Sequence, residues 1–313
     1  MKRQIVTVEV GGEQIVGTAH EPDGGGREQP ASVALLLLNA GAAPRAGNSD
    51  LSAHLGDHLA RGGLPVYRFD LPGLGDSPGE IPQETSVFWR SVLEGRNDAA
   101  ALEIGRGLRR QLGVDGLILG GLCAGAVTSL RAVDSDREGI VGLVLLEPEF
   151  QADLGGAAVN QRRVTPGRMA RFMKATRLDR VLDFLKKASS LTKWLYYLNG
   201  DNPDGRALTR VQPWIRKLLV KVVGSALPPG ANVTMVLCWQ RVMSHQVPTL
   251  LVTATGSARY WERVLEAIPG AQRRRVEQVK VPDTNHTFTA GNARSIICDE
   301  VSRWSSSHGF MRP

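Results

Sequence analysis

The 313-residue sequence predicts an α/β fold, a mostly parallel central sheet flanked by helices with a helical segment inserted into it. Three observations carry this. Short apolar runs alternate with helix-length stretches, the rhythm of a parallel sheet. That rhythm stops near residue 150 and resumes near 249. And Leu117-Ile118-Leu119-Gly120-Gly121-Leu122-Cys123-Ala124-Gly125-Ala126 reads as a buried strand, a tight glycine turn and the start of a helix, with a cysteine at the apex.

Taken in order, residues 4–10 and 13–20 alternate polar and apolar around Gly11-Gly12, which predicts an opening hairpin. Pro22 to Pro30, with three consecutive glycines, is a loop. Val33 to Leu38 is continuously apolar, as a strand buried on both faces must be. A helix is expected at about 50–61, then a second central strand at Pro65 to Phe69 running into Asp70-Leu71-Pro72-Gly73-Leu74-Gly75-Asp76-Ser77-Pro78-Gly79. One long helix is expected near 87–112, followed by the cysteine-bearing strand and by a strand at Ile140 to Leu146. Residues 165–225 look helical. There Leu178, Val181, Leu182 and Leu185 fall on one helix face, and Trp194, Tyr196, Tyr197 and Trp214 supply aromatic surface. Strands resume at Thr249 to Thr253 and at Val276 to Val281. The expected organisation is a core of 1–149 and 246–313 interrupted by a cap of 150–245.

Composition narrows the function. With 42% hydrophobic residues the chain can bury a sizeable core. Met1-Lys2-Arg3-Gln4-Ile5-Val6 opens with no apolar stretch of the signal-peptide kind, and the longest purely apolar run is far short of a membrane span. Three cysteines, at 123, 238 and 298, make no disulfide framework, and a free nucleophilic thiol fits a reducing cytoplasm. The formal charge of +7 is unevenly placed: Asn160 to His245 holds 16 Lys/Arg against 4 Asp/Glu, while the rest of the chain holds 22 against 27. Such a segment is either a solvated helical surface or a docking face for an acidic partner, such as an acyl carrier protein or the phosphates of coenzyme A. Nucleic acid is not expected, because no zinc spacing, recognition helix or aromatic RNA-binding motif is present. Neither GxxxxGK[ST] nor GxGxxG occurs around Gly73 or Gly120, so no nucleotide, flavin or nicotinamide cofactor is expected. His54 and His58 lie four apart on one predicted helix, but no third metal ligand is evident.

The chemistry centres on Cys123. Glycines at 121 and 125 let strand and helix pack closely around a strained apex, and the helix N-terminus favours negative charge on the sulfur. Most free cysteines are merely small buried apolar residues; a cysteine at this apex is instead a candidate nucleophile. Four segments in order resemble the α/β-hydrolases: the loop after Leu38, Asp70 to Gly79, the Gly-x-Cys-x-Gly elbow and Asp283-Thr284-Asn285-His286-Thr287-Phe288-Thr289. Asn39-Ala40-Gly41-Ala42-Ala43-Pro44-Arg45 and Gly120 to Cys123 further resemble a subgroup of cysteine-bearing hydrolases, found with exosortase systems and in acyl-ligase or polyketide gene neighbourhoods. The resemblance implies His286 as general base, Ala124 N–H as one oxyanion donor and a second donor at Gly41 or a neighbour on the loop after Leu38. It also implies an acid after the strand ending near Thr253, where Ala254-Thr255-Gly256-Ser257 reads as a turn with Ser257 in the place of the carboxylate. Some members place the acid one strand earlier. Here that turn offers Glu147 first and Glu149 second, with a Cys-His dyad as the alternative to both. Asp70 and Asp76 are expected to shape a turn rather than to react. Arg45 would bind an acidic substrate group or sit at the surface, and Trp194 and Trp214 would line an acyl pocket or belong to the core.

These residues point to an acyl-processing enzyme that attacks a thioester or ester and carries the acyl group on sulfur. Two other readings stand beside it: a lactone or carboxylic ester hydrolase without a carrier partner, and a catalytically silent binding protein of the same fold.

Overall fold

The computed structural model describes residues 1–23, 32–150, 232–266 and 273–311. Strands β1 (Lys2–Val10) and β2 (Glu13–Glu21) form the opening hairpin, in register from Lys2 opposite Glu21 to Val10 opposite Glu13. The continuous apolar runs become central strands: β3 (Val33–Leu38), β4 (Val66–Phe69), β5 (Gly116–Leu122), β6 (Ile140–Leu146) and β7 (Thr249–Ala254). With β8 (Val276–Val281) they make one sheet in the order β1-β2-β4-β3-β5-β6-β7-β8. The first two ladders are antiparallel and all from β4 to β8 parallel.

Helices follow the strands: α1 (Leu51–Arg61), α2 (Thr85–Leu93), α3 (Asp98–Leu112), α4 (Ala124–Ser135), α5 (Val233–Ser244), α6 (Thr255–Glu266) and α7 (Ala293–Ser307). The single helix expected near 87–112 is two. Gly95 breaks it with φ 98°, and a side chain there would collide with Arg131 and Asp98. The turn expected at Ala254 to Arg259 is also corrected: β7 passes directly into α6 at Thr255, with no intervening loop.

The strand order reverses between β3 and β5, because β3 leads outward to β4 and β5 returns on the other side of β3. Ligands of open α/β sheets bind at the carboxyl ends of strands beside such a reversal. Register brings those ends together: Leu38 pairs with Gly121, Leu122 with Leu146 and Leu146 with Val252.

By backbone contacts Met1–Glu149 with Cys238–Pro313 form one compact unit and Phe150–Leu237 a second. Apart from its two ends the second unit lies outside the described residues, and with it the expected helical cap, the Leu178–Lys187 face, Trp194, Tyr196, Tyr197 and Trp214. Among the described residues no helix is long and apolar enough to cross a membrane. Nor, among those residues, do three or more His, Cys, Asp or Glu side chains gather as metal ligands would; His58 on α1 faces Asp299 at 3.8 Å.

Candidate active site

Cys123 sits between β5 and α4 with φ 55° and ψ −109°, a conformation that L-residues avoid. Its N–H donates to Leu146 O at 2.9 Å and its carbonyl accepts from Val127 N–H at 3.1 Å, so ladder and helix both hold the apex. The glycines on either side are required by backbone, not by side chains. A Cβ on Gly121 would lie 2.8 Å from Leu38 O, and one on Gly125 would lie 2.5 Å from Leu38 O and 2.8 Å from Asn39 O. The elbow is thus packed onto the end of β3, where the loop 39–45 begins.

Glu147 follows β6 by one residue. Its N–H donates to Val252 O at 2.8 Å, and its φ of 43° turns the side chain out of the strand path. The side chain is 3% exposed, and Oε2 accepts the Ala254 N–H at 2.5 Å, at the junction of β7 and α6. The other oxygen faces His286, with Oε1 3.8 Å from Nδ1. His286 rides the loop after β8, between Asp283 and Phe288, whose φ angles are 49° and 54°. Asn285 braces that loop: its Oδ1 accepts from Thr289 N–H at 3.0 Å and its Nδ2 donates to Thr289 Oγ1 at 2.8 Å. Burial pulls the His286 imidazole down, but hydrogen bonding to Cys123 and the negative charge facing it from Cys123 and Glu147 outweigh it and push its pKa up to about 10. The structure therefore gathers Cys123, His286 and Glu147 at the carboxyl ends of β5, β8 and β6. The 3.8 Å separation is ion-pair rather than hydrogen-bond range, as is common before substrate tightens a site.

The other candidate acids lie elsewhere. Burial, with the charge of Glu149 adding to it, raises the pKa of the Tyr260 phenol on α6. Ser257 lies in the first turn of α6 and donates to Ala254 O at 3.0 Å. It is one turn into a helix, committed to the backbone.

Ala124 is the first residue of α4, where N–H groups have no partner within the helix. Gly41, with φ 63°, belongs to the loop after β3. The loop is fixed by a fully buried carboxylate, Asp70, which accepts Asn39 Nδ2–H at 2.9 Å, Arg45 N–H at 2.6 Å and Asp76 N–H at 3.1 Å. Asn39 also accepts from Leu71 N–H at 2.7 Å and donates to Ala43 O at 3.0 Å. Arg45 belongs to the same network. Its guanidinium pairs with Asp70 and Asp76 and donates to Thr18 Oγ1 at 2.9 Å, so both charge and geometry are spent on the loop. Sequence reasoning missed Trp89 on α2, whose ring carbons Cζ2 and Cη2 lie 3.5 and 3.9 Å from where a Cβ on Gly41 would be. No local signal pairs two residues 48 positions apart in this way.

The sequence model described as the alpha/beta hydrolase family matches residues 35–294. Solved structures of similar fold include a dienelactone hydrolase from Anabaena variabilis (13% identity, 99% of each chain, TM-score 0.55). A proline iminopeptidase from Mycobacterium smegmatis is similar at 15% identity over 97% of this chain and 100% of that one, TM-score 0.54. An esterase from Thermogutta terrifontis is similar at 17% identity over the full length of both, TM-score 0.53. No curated protein matches the sequence significantly. The sheet order, the left-handed elbow residue and the matched span together assign this chain to the alpha/beta hydrolase family, as a hydrolase.

Proposed function

We propose that this hydrolase processes acyl groups through a covalent acyl-thioester on Cys123. The observation that carries this reading is the convergence of a thiol in a strained left-handed elbow with an imidazole pushed up to about 10 and a buried carboxylate. A proton held by His286 leaves sulfur free to attack the carbonyl carbon of a thioester or ester. Negative charge then develops on the carbonyl oxygen, and the N–H groups of Ala124 and Gly41 are suited to receive it. As the tetrahedral intermediate collapses, the bond to the leaving thiol or alcohol breaks and His286 returns the proton to it. His286 then takes a proton from water, an amine or an alcohol, which releases the acyl group and restores the thiol. Glu147 fixes the imidazole and offsets its charge, and it fills the role that Ser257 lacks the charge to fill.

Thioesters favour amines over water more than oxygen esters do, so a sulfur nucleophile favours transfer or cyclisation beside hydrolysis. The motif resemblance to cysteine-bearing hydrolases of acyl-ligase and polyketide neighbourhoods points the same way. The basic segment 160–245 is the proposed face for an acyl carrier protein or coenzyme A. The three free, buried cysteines fit a reducing compartment such as the cytoplasm. The likeness to a dienelactone hydrolase and an esterase favours a second reading, hydrolysis of a lactone or carboxylic ester with no carrier.

Intact-mass trapping tests both. Acyl thioesters should add one acyl mass to the wild-type chain and none to Cys123→Ala, and amine, alcohol or water added afterwards should discharge it. Equal acylation of Cys123→Ala would remove the nucleophile assignment. Efficiency on carrier-bound substrate should fall with rising salt while that on a small thioester holds; salt-independence of both would favour the carrier-free reading.

A further inference from the structure

We propose that Trp89 forms the wall of the acyl subsite and restricts the enzyme to neutral, apolar acyl chains, an inference that rests on Gly41 lying beside the substrate carbonyl. Three features carry it. Gly41 has no side chain, and among the described residues the nearest atoms to the empty Cβ position are Cζ2 and Cη2 of Trp89 at 3.5 and 3.9 Å. Among the described residues the indole is thus a side chain that flanks the carbonyl-binding loop. It is half-buried, resting on the core cluster that contains Cys123, Ala40, Leu146 and Phe288. And it packs against buried Phe88, whose ring meets it edge-on at 6.1 Å and 71°.

A carbonyl oxygen bound at Gly41 leaves the first carbons of the acyl chain next to this loop, against the indole. Contact with a large fixed aromatic surface rewards methylene groups. A charged acyl group would lose water there, and Arg45, the only cation of the 39–45 loop, is already taken by Asp70 and Asp76. The loop thus selects against carboxylate-bearing acyl groups.

The test uses S-acyl-N-acetylcysteamine thioesters from acetyl to octanoyl, with succinyl as the acidic probe. It reads turnover together with single-turnover acylation of Cys123 by intact mass. Efficiency in the wild type should rise with chain length and be lowest for succinyl. Trp89→Ala should cut the octanoyl-to-acetyl efficiency ratio about tenfold, the order expected when about two methylene groups lose their contact. Trp89→Phe should restore most of that ratio, and thermal melting controls for folding. An unchanged ratio in Trp89→Ala, or succinyl preferred over butanoyl by the wild type, overturns the subsite while leaving the nucleophile reading intact. If Trp89→Ala does not fold, Trp89→Leu and the wild-type succinyl comparison decide the same question. If no thioester acylates wild-type Cys123, the acyl-transfer reading fails and the subsite with it.

Discussion

Cys123 and Glu147 both occupy left-handed backbone conformations, which cost about 1–3 kcal/mol each for residues with a Cβ. Each turns its side chain out of a strand end and toward His286. The carboxylate is divided between two tasks: Oε2 holds the Ala254 N–H at 2.5 Å, leaving Oε1 for the imidazole. Glu147→Gln preserves size but not this division. With its carbonyl oxygen on Ala254 N–H, the amide would aim an NH2 at Nδ1–H, donor against donor. The charge that helps raise His286 to about 10 would also be gone. The alkaline limb of the pH–rate profile should therefore move down toward the ordinary imidazole value. At neutral pH, efficiency should fall about a hundredfold, the lower end of the range for general acid–base catalysis. Steady-state kinetics from pH 6 to 11 measure both. A fall of less than about threefold with an unmoved limb would mean that Cys123 and His286 act as a dyad.

At the scale of elements, the elbow works because α4 can touch the end of β3. A Cβ on Gly125 would meet Leu38 O at 2.5 Å and Asn39 O at 2.8 Å, and backbone on both sides prevents local escape. Alanine favours helix over glycine by about 1 kcal/mol, but overpacking costs about 1–3 kcal/mol. Gly125→Ala should thus lower the melting temperature, and its turnover should fall further than stability explains, because the shift opens the gap between Ala124 and Gly41. Gly256 in α6 is the counter-case: nothing lies within 4 Å of its Cβ position. There Gly256→Ala should raise stability by about 0.5–1 kcal/mol in urea unfolding, with activity kept. If both variants melt alike, contact with β3 does not decide the elbow. The same contrast explains what the sequence disclosed. The elbow was legible because its chemistry is written within ten residues. The central strands were legible because burial on both faces demands unbroken apolar runs. The split between α2 and α3 was not, because a glycine within a helical stretch does not announce the φ of 98° that Gly95 takes. Ser257 read as a turn residue because Gly256 precedes it; only the β7–α6 junction shows a helix there. Glu147 could be ranked above Glu149 by nearness to the strand end, but the Ala254 N–H that holds it is 107 residues away.

Across the whole molecule, two histidines lean in opposite directions and tie the stability of the fold to pH. His20 is fully buried where β1, β2, β4 and α1 meet. Its Nδ1 lies 2.8 Å from Asp57 Oδ1, which Arg3 also holds, and its Nε2 accepts Arg68 Nε–H at 2.8 Å. Burial, then the Arg68 charge, pull its pKa down to about 4 against the opposing pull of Asp57. Arg3, with help from His20 and against burial, brings Asp57 down to about 2. For both groups the unfolded chain takes up the proton first, so each costs stability as pH falls: His20 between about 6.5 and 4, Asp57 between about 3.8 and 2. His286 runs the other way. Its folded pKa lies above the unfolded value, so its contribution is complete below about 6.5 and is lost as pH rises toward 10. Asp98 opposes His20 on the acid side: burial, against the charge of Arg131, raises its carboxyl to about 6, so its contribution is lost as pH rises from about 3.8 to 6. His20→Gln should be less stable than wild type at pH 7, because Asp57 and Arg68 lose a well-placed partner. Its stability should nevertheless fall less steeply from pH 6.5 to 4, the slope losing up to about 1.4 kcal/mol per pH unit as one proton leaves the linkage. Urea unfolding at half-unit pH steps gives that slope. An equal slope in wild type and variant would show that His20 takes up no extra proton on unfolding, and that the acid side is set by carboxylates alone.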